Sequence, residues 1–169
     1  ATAIQWTPAV AWNGQNFLVV WTDFRNGSIT DIYGTRVSLF FGLGLRVLDA
    51  AGIAISTAAG NQGYPAVASD GAGNCLVVWD DYRSSTSTSH PIADIYGARV
   101  NRQGRVLDPG GLPISTAPDS QEMPAVASDG TNYLVVWSDA RRWEANRVRN
   151  IFGARVTAAG VVLDPTGIP

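Results

Sequence analysis

Apolar residues along this chain occur in short runs separated by glycine, proline, asparagine or aspartate, and no stretch shows helical spacing. The run LVVW occurs three times at equal spacing, ending at Trp21, Trp79 and Trp137. A short run that is apolar at every position is typical of a strand buried on both faces. Ahead of each run stands a pair that favours a tight hairpin turn with positive φ, namely Asn13-Gly14, Asp70-Gly71 and Asp129-Gly130. The pattern therefore predicts an all-β chain.

The runs belong to a longer repeat, which begins with PAVA at Pro8, Pro65 and Pro124. Each copy continues with DIYGTRV, DIYGARV or NIFGARV, and then with RVLD or VVLD. We predict four strands per unit, formed by PAVA, LVVW, the DIYGARV-type segment and VLD. The glycine inside the third strand indicates close approach by a neighbour. Residues 1–169 are taken as one domain of three units, 5–61, 62–120 and 121–169, with 1–4 completing the last junction.

Composition agrees with many short strands joined by turns. The 169 residues include 18 glycines and 9 prolines, and only 15% are charged, which suits neither a helical bundle nor a disordered tail. A formal net charge of −2 argues against a nucleic-acid partner. No apolar run approaches the roughly 20 residues of a membrane span, and a single cysteine excludes an internal disulfide.

A four-stranded antiparallel unit that is buried on both faces and repeated is a propeller-type blade. The string PAVASDGTNYLVVWSDAR, followed by NIFGARV, resembles the blades of sialidase-like β-propellers and of bacterial secreted proteins that carry DIYGARV repeats. The resemblance covers nearly the whole chain and implies the propeller fold and a secreted or cell-surface location. The Asp-box of sialidases (S-x-D-x-G-x-x-W) is replaced by NRQGRVLD and TAAGVVLD, so the resemblance implies little about sialidase chemistry.

Three blades are fewer than the roughly 4–8 that close a propeller, and they leave two apolar blade faces to be covered. We expect a homodimer in which two chains close a six-bladed ring about a two-fold axis. Two alternatives remain open. The chain is a segment of a longer protein that supplies the other blades, or the three units close by themselves as a β-trefoil or β-prism with pseudo-threefold symmetry.

Aspartate and arginine recur at fixed places in every unit. The pairs Asp23 and Arg25, Asp81 and Arg83, and Asp139 and Arg141 follow the LVVW tryptophans, while the third strand opens with Asp31, Asp94 or Asn150 and carries Arg36, Arg99 or Arg155. A ligand site seldom needs an identical copy in every unit, whereas a blade corner does. We therefore expect these aspartates to pair with the arginines and to fix the loop between the second and third strands.

Neither metal nor catalytic chemistry is predicted. Two oxygen donors at each Asp-Gly or Asn-Gly turn fall short of a calcium site, and we expect no cofactor. Cys75 lies in a strand without an adjacent base, which indicates a structural residue. Glycosidases generally use two acidic side chains in a cleft, and the only glutamates, Glu122 and Glu144, lie in no recognisable motif. We expect a protein without enzymatic activity and name no catalytic residue.

The copies differ most in the loop between the second and third strands, which spans 26–30, 84–93 and 142–149. Propellers present this loop on the same rim as the connection between blades, and loops on a rigid scaffold carry function. A tryptophan beside arginines can stack on a sugar ring or hold an acidic group. The ligand-binding candidates are Arg142, Trp143, Arg147, Arg149 and His90. The alternative is that Trp143 packs over its own blade or a neighbour.

Unit one differs again at the turn after its third strand, where SLFFGLGL replaces the shorter NRQG and TAAG. An apolar hairpin tip predicts a docking surface for a partner, with Leu39, Phe40, Phe41 and Leu43 as the candidates. The alternative is a tip folded back on its blade.

These observations favour a non-catalytic binding or adhesion module, with glycan as the ligand class. Fold alone does not determine activity, and two other functions remain open. One is a scaffold for protein–protein assembly or a part of a larger propeller. The other is a glycoside hydrolase-like enzyme that is completed by oligomerisation.

Overall fold

A computed structural model describes residues 3–40, 44–141 and 148–169. Over these residues the chain contains β-strands and no helix, so the all-β prediction is confirmed. Accordingly, this part of the chain holds no helix that could span a membrane. The strands in chain order are β1 (Gln5–Trp12), β2 (Phe17–Asp23), β3 (Asp31–Phe40), β4 (Gly44–Val47), β5 (Ile53–Ser56), β6 (Gln62–Ser69), β7 (Cys75–Asp81), β8 (Asp94–Val100), β9 (Leu112–Ser115), β10 (Gln121–Ser128), β11 (Asn132–Asp139) and β12 (Asn150–Thr157).

Each repeat unit forms its own antiparallel sheet. The strand order is β1-β2-β3-β4 in unit one, with β5 also paired to β3, and β6-β7-β8-β9 in unit two. Unit three has the order β10-β11-β12. Ile168 forms an antiparallel bridge with Gly153, at the place where β5 and β9 pair with the third strand of their units. The three sheets therefore share one strand topology, apart from the additional strand β4 in unit one.

The units are arranged as consecutive propeller blades. Their first strands, β1, β6 and β10, pack side by side in chain order. One apolar core lies between units one and two, and a second lies between units two and three. The described residues form no such core between unit three and unit one. The described residues form an open arc of blades. The alternative of a closed β-trefoil or β-prism is wrong because these residues do not pack unit three against unit one around a threefold axis.

The two cores are built from equivalent residues. In the first, Leu18, Val20 and Ile32 of unit one pack against Val77 and Trp79 of unit two. The second core uses the same positions one unit later, Leu76, Val78 and Ile95 against Val135 and Trp137. β7 contributes to both cores, and all seven of its residues are buried. Burial of LVVW on both faces is thus confirmed for unit two, whereas β2 and β11 each have one covered face.

The fourth strand is not where the sequence predicts it. In units two and three the VLD segment makes isolated bridges, Val106 with Val100 and Val162 with Val156. The chain then turns after the aspartate of this segment, through glycines with positive φ such as Gly111 (φ 76). The next segment, LPIS or IAIS, pairs with the third strand as β9 or β5. In unit one the longer tip adds a paired strand, β4, which ends at Val47, the first residue of VLD.

Glycines lie where a neighbouring strand approaches the third strand closely, as predicted. A Cβ on Gly97 would lie 3.0 Å from the carbonyl oxygen of Val77, and one on Gly34 would lie 2.9 Å from that of Val19. At contacts this short, a side chain fits only if the neighbouring strand shifts. The hairpin glycines Gly14, Gly71 and Gly130 have φ of 89, 72 and 89, which confirms the turns.

Candidate functional site

The predicted pairing of Asp23 with Arg25 is confirmed, and it recurs in all three units. Arg25 donates from Nε and Nη2 to the two carboxylate oxygens of Asp23 at 2.9 and 2.8 Å. Nε1 of Trp21 donates to the same carboxylate at 2.7 Å. The other units repeat both interactions, Arg83 and Trp79 with Asp81, and Arg141 and Trp137 with Asp139. The Arg25 guanidinium holds the pKa of Asp23 well below its usual range.

The second repeated arginine pairs differently from the prediction. Arg36, Arg99 and Arg155 bind the aspartate that ends the VLD segment, Asp49, Asp108 and Asp164. Asp31 instead accepts a hydrogen bond from Asn26, and Asp94 accepts one from Ser84. The prediction failed because VLD folds back beside the third strand, where its carboxylate also accepts the backbone N–H of the arginine. Both clamps recur in each unit and belong to the architecture.

The first strand of each unit carries a bulge just before its proline. Thr7, Tyr64 and Met123 have φ of 48, 52 and 57, and the strand register shifts at each of them. Positive φ is unfavourable for residues with side chains and is retained where the surroundings enforce it. The three bulges and their prolines line one open cleft of about 370 Å³. We call this place, where the inner strands converge, the axial cleft.

One carboxyl beside the axial cleft has no counterpart in the other units. Asp80 follows Trp79, at the position held by Thr22 in unit one and Ser138 in unit three. It is 1% exposed, and its Oδ1 accepts the backbone N–H of Met123 at 2.8 Å. Burial, with a smaller contribution from the Glu122 carboxylate, raises the pKa of Asp80 to about 8. Asp80 therefore carries a proton at neutral pH.

An ion pair and two tyrosines surround Asp80. Arg149 donates from Nη1 to Glu122 at 2.7 Å, and the two side chains are 41% and 22% exposed. Burial and the neighbouring Asp80 raise the pKa of Tyr82 to about 12, while Tyr64 is 54% exposed. We define the axial site as this cluster beside the axial cleft, which consists of Tyr64, Asp80, Tyr82, Glu122, Met123 and Arg149.

A second cleft, of about 130 Å³, extends the axial site toward unit one. Tyr64 and Tyr82 line it together with Trp6 and Phe24. The Trp6 ring is 57% exposed and meets Phe24 edge to face, with 5.1 Å between centroids. Exposed aromatic rings therefore continue from the axial cleft along the junction of units one and two.

The structure brings one predicted ligand-binding residue, Arg149, into the axial site. His90 lies in the exposed loop of unit two, where its contacts are with Ser87 and Ser89. The other three candidates, Arg142, Trp143 and Arg147, lie outside the described residues. Sequence reasoning missed Tyr64, Asp80 and Glu122 as a site. The available signal was the difference between copies, since aspartate at position 80 replaces a hydroxyl residue.

The predicted partner-contact residues lie at the end of the β3–β4 hairpin. Leu39 is 54% exposed and pairs with Leu45, which is 68% exposed. The Phe40 side chain, Phe41 and Leu43 are outside the described part of the structure. An apolar exposed hairpin is therefore present at Leu39, and its role as a docking surface stays a prediction.

Cys75 and the turn aspartates have structural roles. Cys75 is buried between units one and two, and burial raises the pKa of its thiol to about 12, which disfavours a thiolate. Asp70 Oδ1 accepts three backbone N–H groups within its own turn. No group of three or more metal-ligating side chains occurs among residues 3–40, 44–141 and 148–169.

The fold is similar to that of a solved arabinofuranosidase. α-L-Arabinofuranosidase from Lactobacillus brevis matches with a TM-score of 0.52 and 12% identity, over 94% of this chain and 55% of that chain. A subtype N11 neuraminidase-like protein of A/flat-faced bat/Peru/033/2010 (H18N11) matches with a TM-score of 0.46 and 11% identity, over 95% and 51%. The chain thus spans about half the length of each. No family model matches, and no curated protein sequence matches.

Proposed function

We propose that this protein binds a glycan at the axial site without cleaving it. The observation that carries the proposal is the meeting of exposed aromatic rings with a partly exposed ion pair where the inner strands of the units converge. Sugar rings bind proteins through apolar faces that stack on aromatic side chains, and through hydroxyl groups that bond charged and polar groups. The axial site offers both kinds of contact.

The aromatic contribution comes from Tyr64 and Trp6. Both rings are more than half exposed, at 54% and 57%, and they line the same cleft. A flat ring with one polar edge suits an amphipathic ligand such as a sugar. We infer that one sugar residue stacks on Tyr64 and that a neighbouring residue extends toward Trp6.

The polar contribution comes from Glu122 and Arg149. Because both side chains are partly exposed, the carboxylate can accept and the guanidinium can donate hydrogen bonds outside their own ion pair. Such a pair matches the vicinal hydroxyl groups of a sugar. It also favours a ligand that is neutral or carries a single carboxylate.

Binding is favoured over hydrolysis by the position of Asp80. A glycosidase needs a protonated carboxyl that reaches the glycosidic oxygen. Asp80 carries a proton, but it is 1% exposed and holds the Met123 N–H between units two and three. One structural neighbour is an arabinofuranosidase, which supports a glycan as the ligand class. A secreted or cell-surface location is part of this proposal.

The test is a glycan array on the purified chain, followed by calorimetry of any bound glycan with Tyr64→Ala and Trp6→Ala. We expect each variant to weaken binding by about tenfold or more, corresponding to about 1.4 kcal/mol. Trp12→Ala is the matched control, since Trp12 lies at the other end of β1, is 45% exposed and packs against Phe17 at 4.9 Å. The solution mass of every variant is recorded, so that altered assembly is recognised.

An array without binding, or equal losses for Trp6→Ala and Trp12→Ala, would overturn the proposed site. Release of sugar from a model glycoside by the purified chain would overturn the proposal of binding without cleavage. In that case Glu122→Gln should abolish the release.

A further inference from the structure

Each repeat unit has two apolar faces, which the structure shows pairing in one fixed way. We call face A the side that carries Val77 and Trp79 in unit two, and face B the side that carries Leu76, Val78 and Ile95. Face B of unit one packs on face A of unit two, and face B of unit two packs on face A of unit three. One interface, B against A, therefore occurs twice within the chain.

Face B of unit three lies bare, although its residues are the ones that are buried elsewhere. Ile151 is 66% exposed, whereas its counterparts Ile32 and Ile95 are both 0% exposed. Leu134 is 48% exposed, whereas Leu76 is 0% exposed. The same side chains are thus core residues wherever a following unit is present.

Face A of unit one is bare in the same sense. Val47 is 56% exposed, while its counterpart Val106 packs against the core between units one and two. Val10 is 58% exposed, while Val67 packs in that core. An open cleft of about 620 Å³ lies against Trp21 on this face, whereas the equivalent Trp79 is 0% exposed.

A polar contact at the edge of each interface between units follows the same pattern as the apolar side chains. Arg36 donates to the carbonyl of Arg102 at 3.4 Å, and Arg99 donates to that of Ala158 at 3.1 Å, so that each reaches a turn of the next unit. Arg155 is the third copy. It keeps its bond to Asp164, but its side chain is 55% exposed, against 20% for Arg36 and 17% for Arg99.

We propose that a second copy of this chain covers both bare faces, face B of unit three in each copy packing on face A of unit one in the other. The two faces are complementary because the same pairing already occurs twice within the chain. Two copies related by a two-fold axis satisfy both at once, which closes a ring of six units, a number within the usual range for propellers. The second copy also brings its own inner strands to the axis, beside the axial cleft.

This proposal is independent of glycan binding and is tested by sedimentation velocity on the purified chain. The expected mass is twice the 17.9 kDa of one chain. Leu134→Asp and Ile151→Asp on face B should raise the dissociation constant at least about a hundredfold, because each buries an unpaired carboxylate in the interface. Ile92→Asp is the control, since Ile92 is also exposed, at 40%, but lies in a loop.

A mixing experiment tests the pairing of unlike faces. Val47→Asp alters face A and Leu134→Asp alters face B, and each variant alone places a charge in both interfaces of its ring. A mixed pair retains one unaltered interface, so mixing should partly restore association. The far-ultraviolet circular dichroism of each variant should match that of the parent, since the altered side chains are exposed in one chain.

A monomer mass for the parent chain at all accessible concentrations would overturn the proposal, and so would an open-ended series of oligomers. Equal effects of Ile151→Asp and Ile92→Asp, or mixing without recovery, would overturn the assignment of the two faces.

Discussion

At the scale of single residues, the most informative position is Asp80, because this buried carboxyl has no aspartate counterpart in the other two units. Its counterparts, Thr22 and Ser138, carry hydroxyl groups, which do not titrate near neutral pH. The carboxyl is enclosed between units two and three and binds the Met123 N–H. Because the folded protein keeps this carboxyl protonated, the free energy of unfolding depends on pH.

Asp80→Asn should stabilise the protein relative to the parent as pH rises. Folding raises the pKa of Asp80 from 3.8 to about 8, so between these values the folded state binds a proton that the unfolded chain has released. The stability of the parent should therefore decline through this window, by at most about 1.4 kcal/mol per pH unit from this group. Asparagine keeps the acceptor for Met123 and does not titrate.

Urea unfolding at pH 5 and pH 7.5 measures the difference between parent and variant. Asp129→Asn serves as the control, because the pKa of Asp129 is lowered by hydrogen bonds from the backbone of Asn132 and Thr131. Its carboxylate is ionised in both states across this range. Parallel pH profiles for the parent and Asp80→Asn would contradict the assigned protonation.

A second residue-scale prediction compares two aspartates of unit one. Asp23→Asn should lower the free energy of unfolding by about 3 kcal/mol, because it leaves the clamped Arg25 without its charge partner. Asp31→Asn should cost at most about 1 kcal/mol, since asparagine keeps an oxygen that accepts the hydrogen bond from Asn26 and no arginine clamp is lost. Equal losses in urea denaturation would show that the clamp is not the stabilising contact.

At the scale of elements, the sequence identifies three strands of each unit and misplaces the fourth. PAVA, LVVW and DIYGARV have local patterns that determine their pairing, because hairpin turns and an obligate glycine accompany them. VLD has the apolar composition of a strand. Its aspartate, however, binds the arginine of the third strand, as Asp108 binds Arg99, and the chain turns directly after this aspartate. That long-range ion pair competes with ladder formation and leaves no local signature.

Gly97→Ala tests the close approach of strands in unit two. The added Cβ would lie 3.0 Å from both the Val77 carbonyl oxygen and Cδ1 of Ile114, and such overpacking costs about 1–3 kcal/mol. Gly110→Ala is the matched control, with nothing within 4 Å of its Cβ and no positive φ. Thermal unfolding should separate the two variants, and an unchanged midpoint for Gly97→Ala would contradict the packing described.

At the scale of the whole molecule, the repeat count predicts two bare faces, and the arc of three blades confirms them. The axial site could not be predicted in the same way. Asp80 lies in β7, Glu122 lies in β10 and Arg149 directly precedes β12, so residues of two units meet only after the blades pack. The aspartate at position 80, where the other copies carry hydroxyl residues, indicates an unusual position, but the sequence does not show which residues lie beside it in the fold.

We expect the faces left bare by one chain to be covered in solution by a second copy. Hydroxyl-radical footprinting of the purified chain tests it directly, because it reports side-chain exposure residue by residue. Ile151 should be modified as slowly as buried Ile95, while exposed Ile92 should react quickly. Modification of Ile151 at the rate of Ile92 would contradict it.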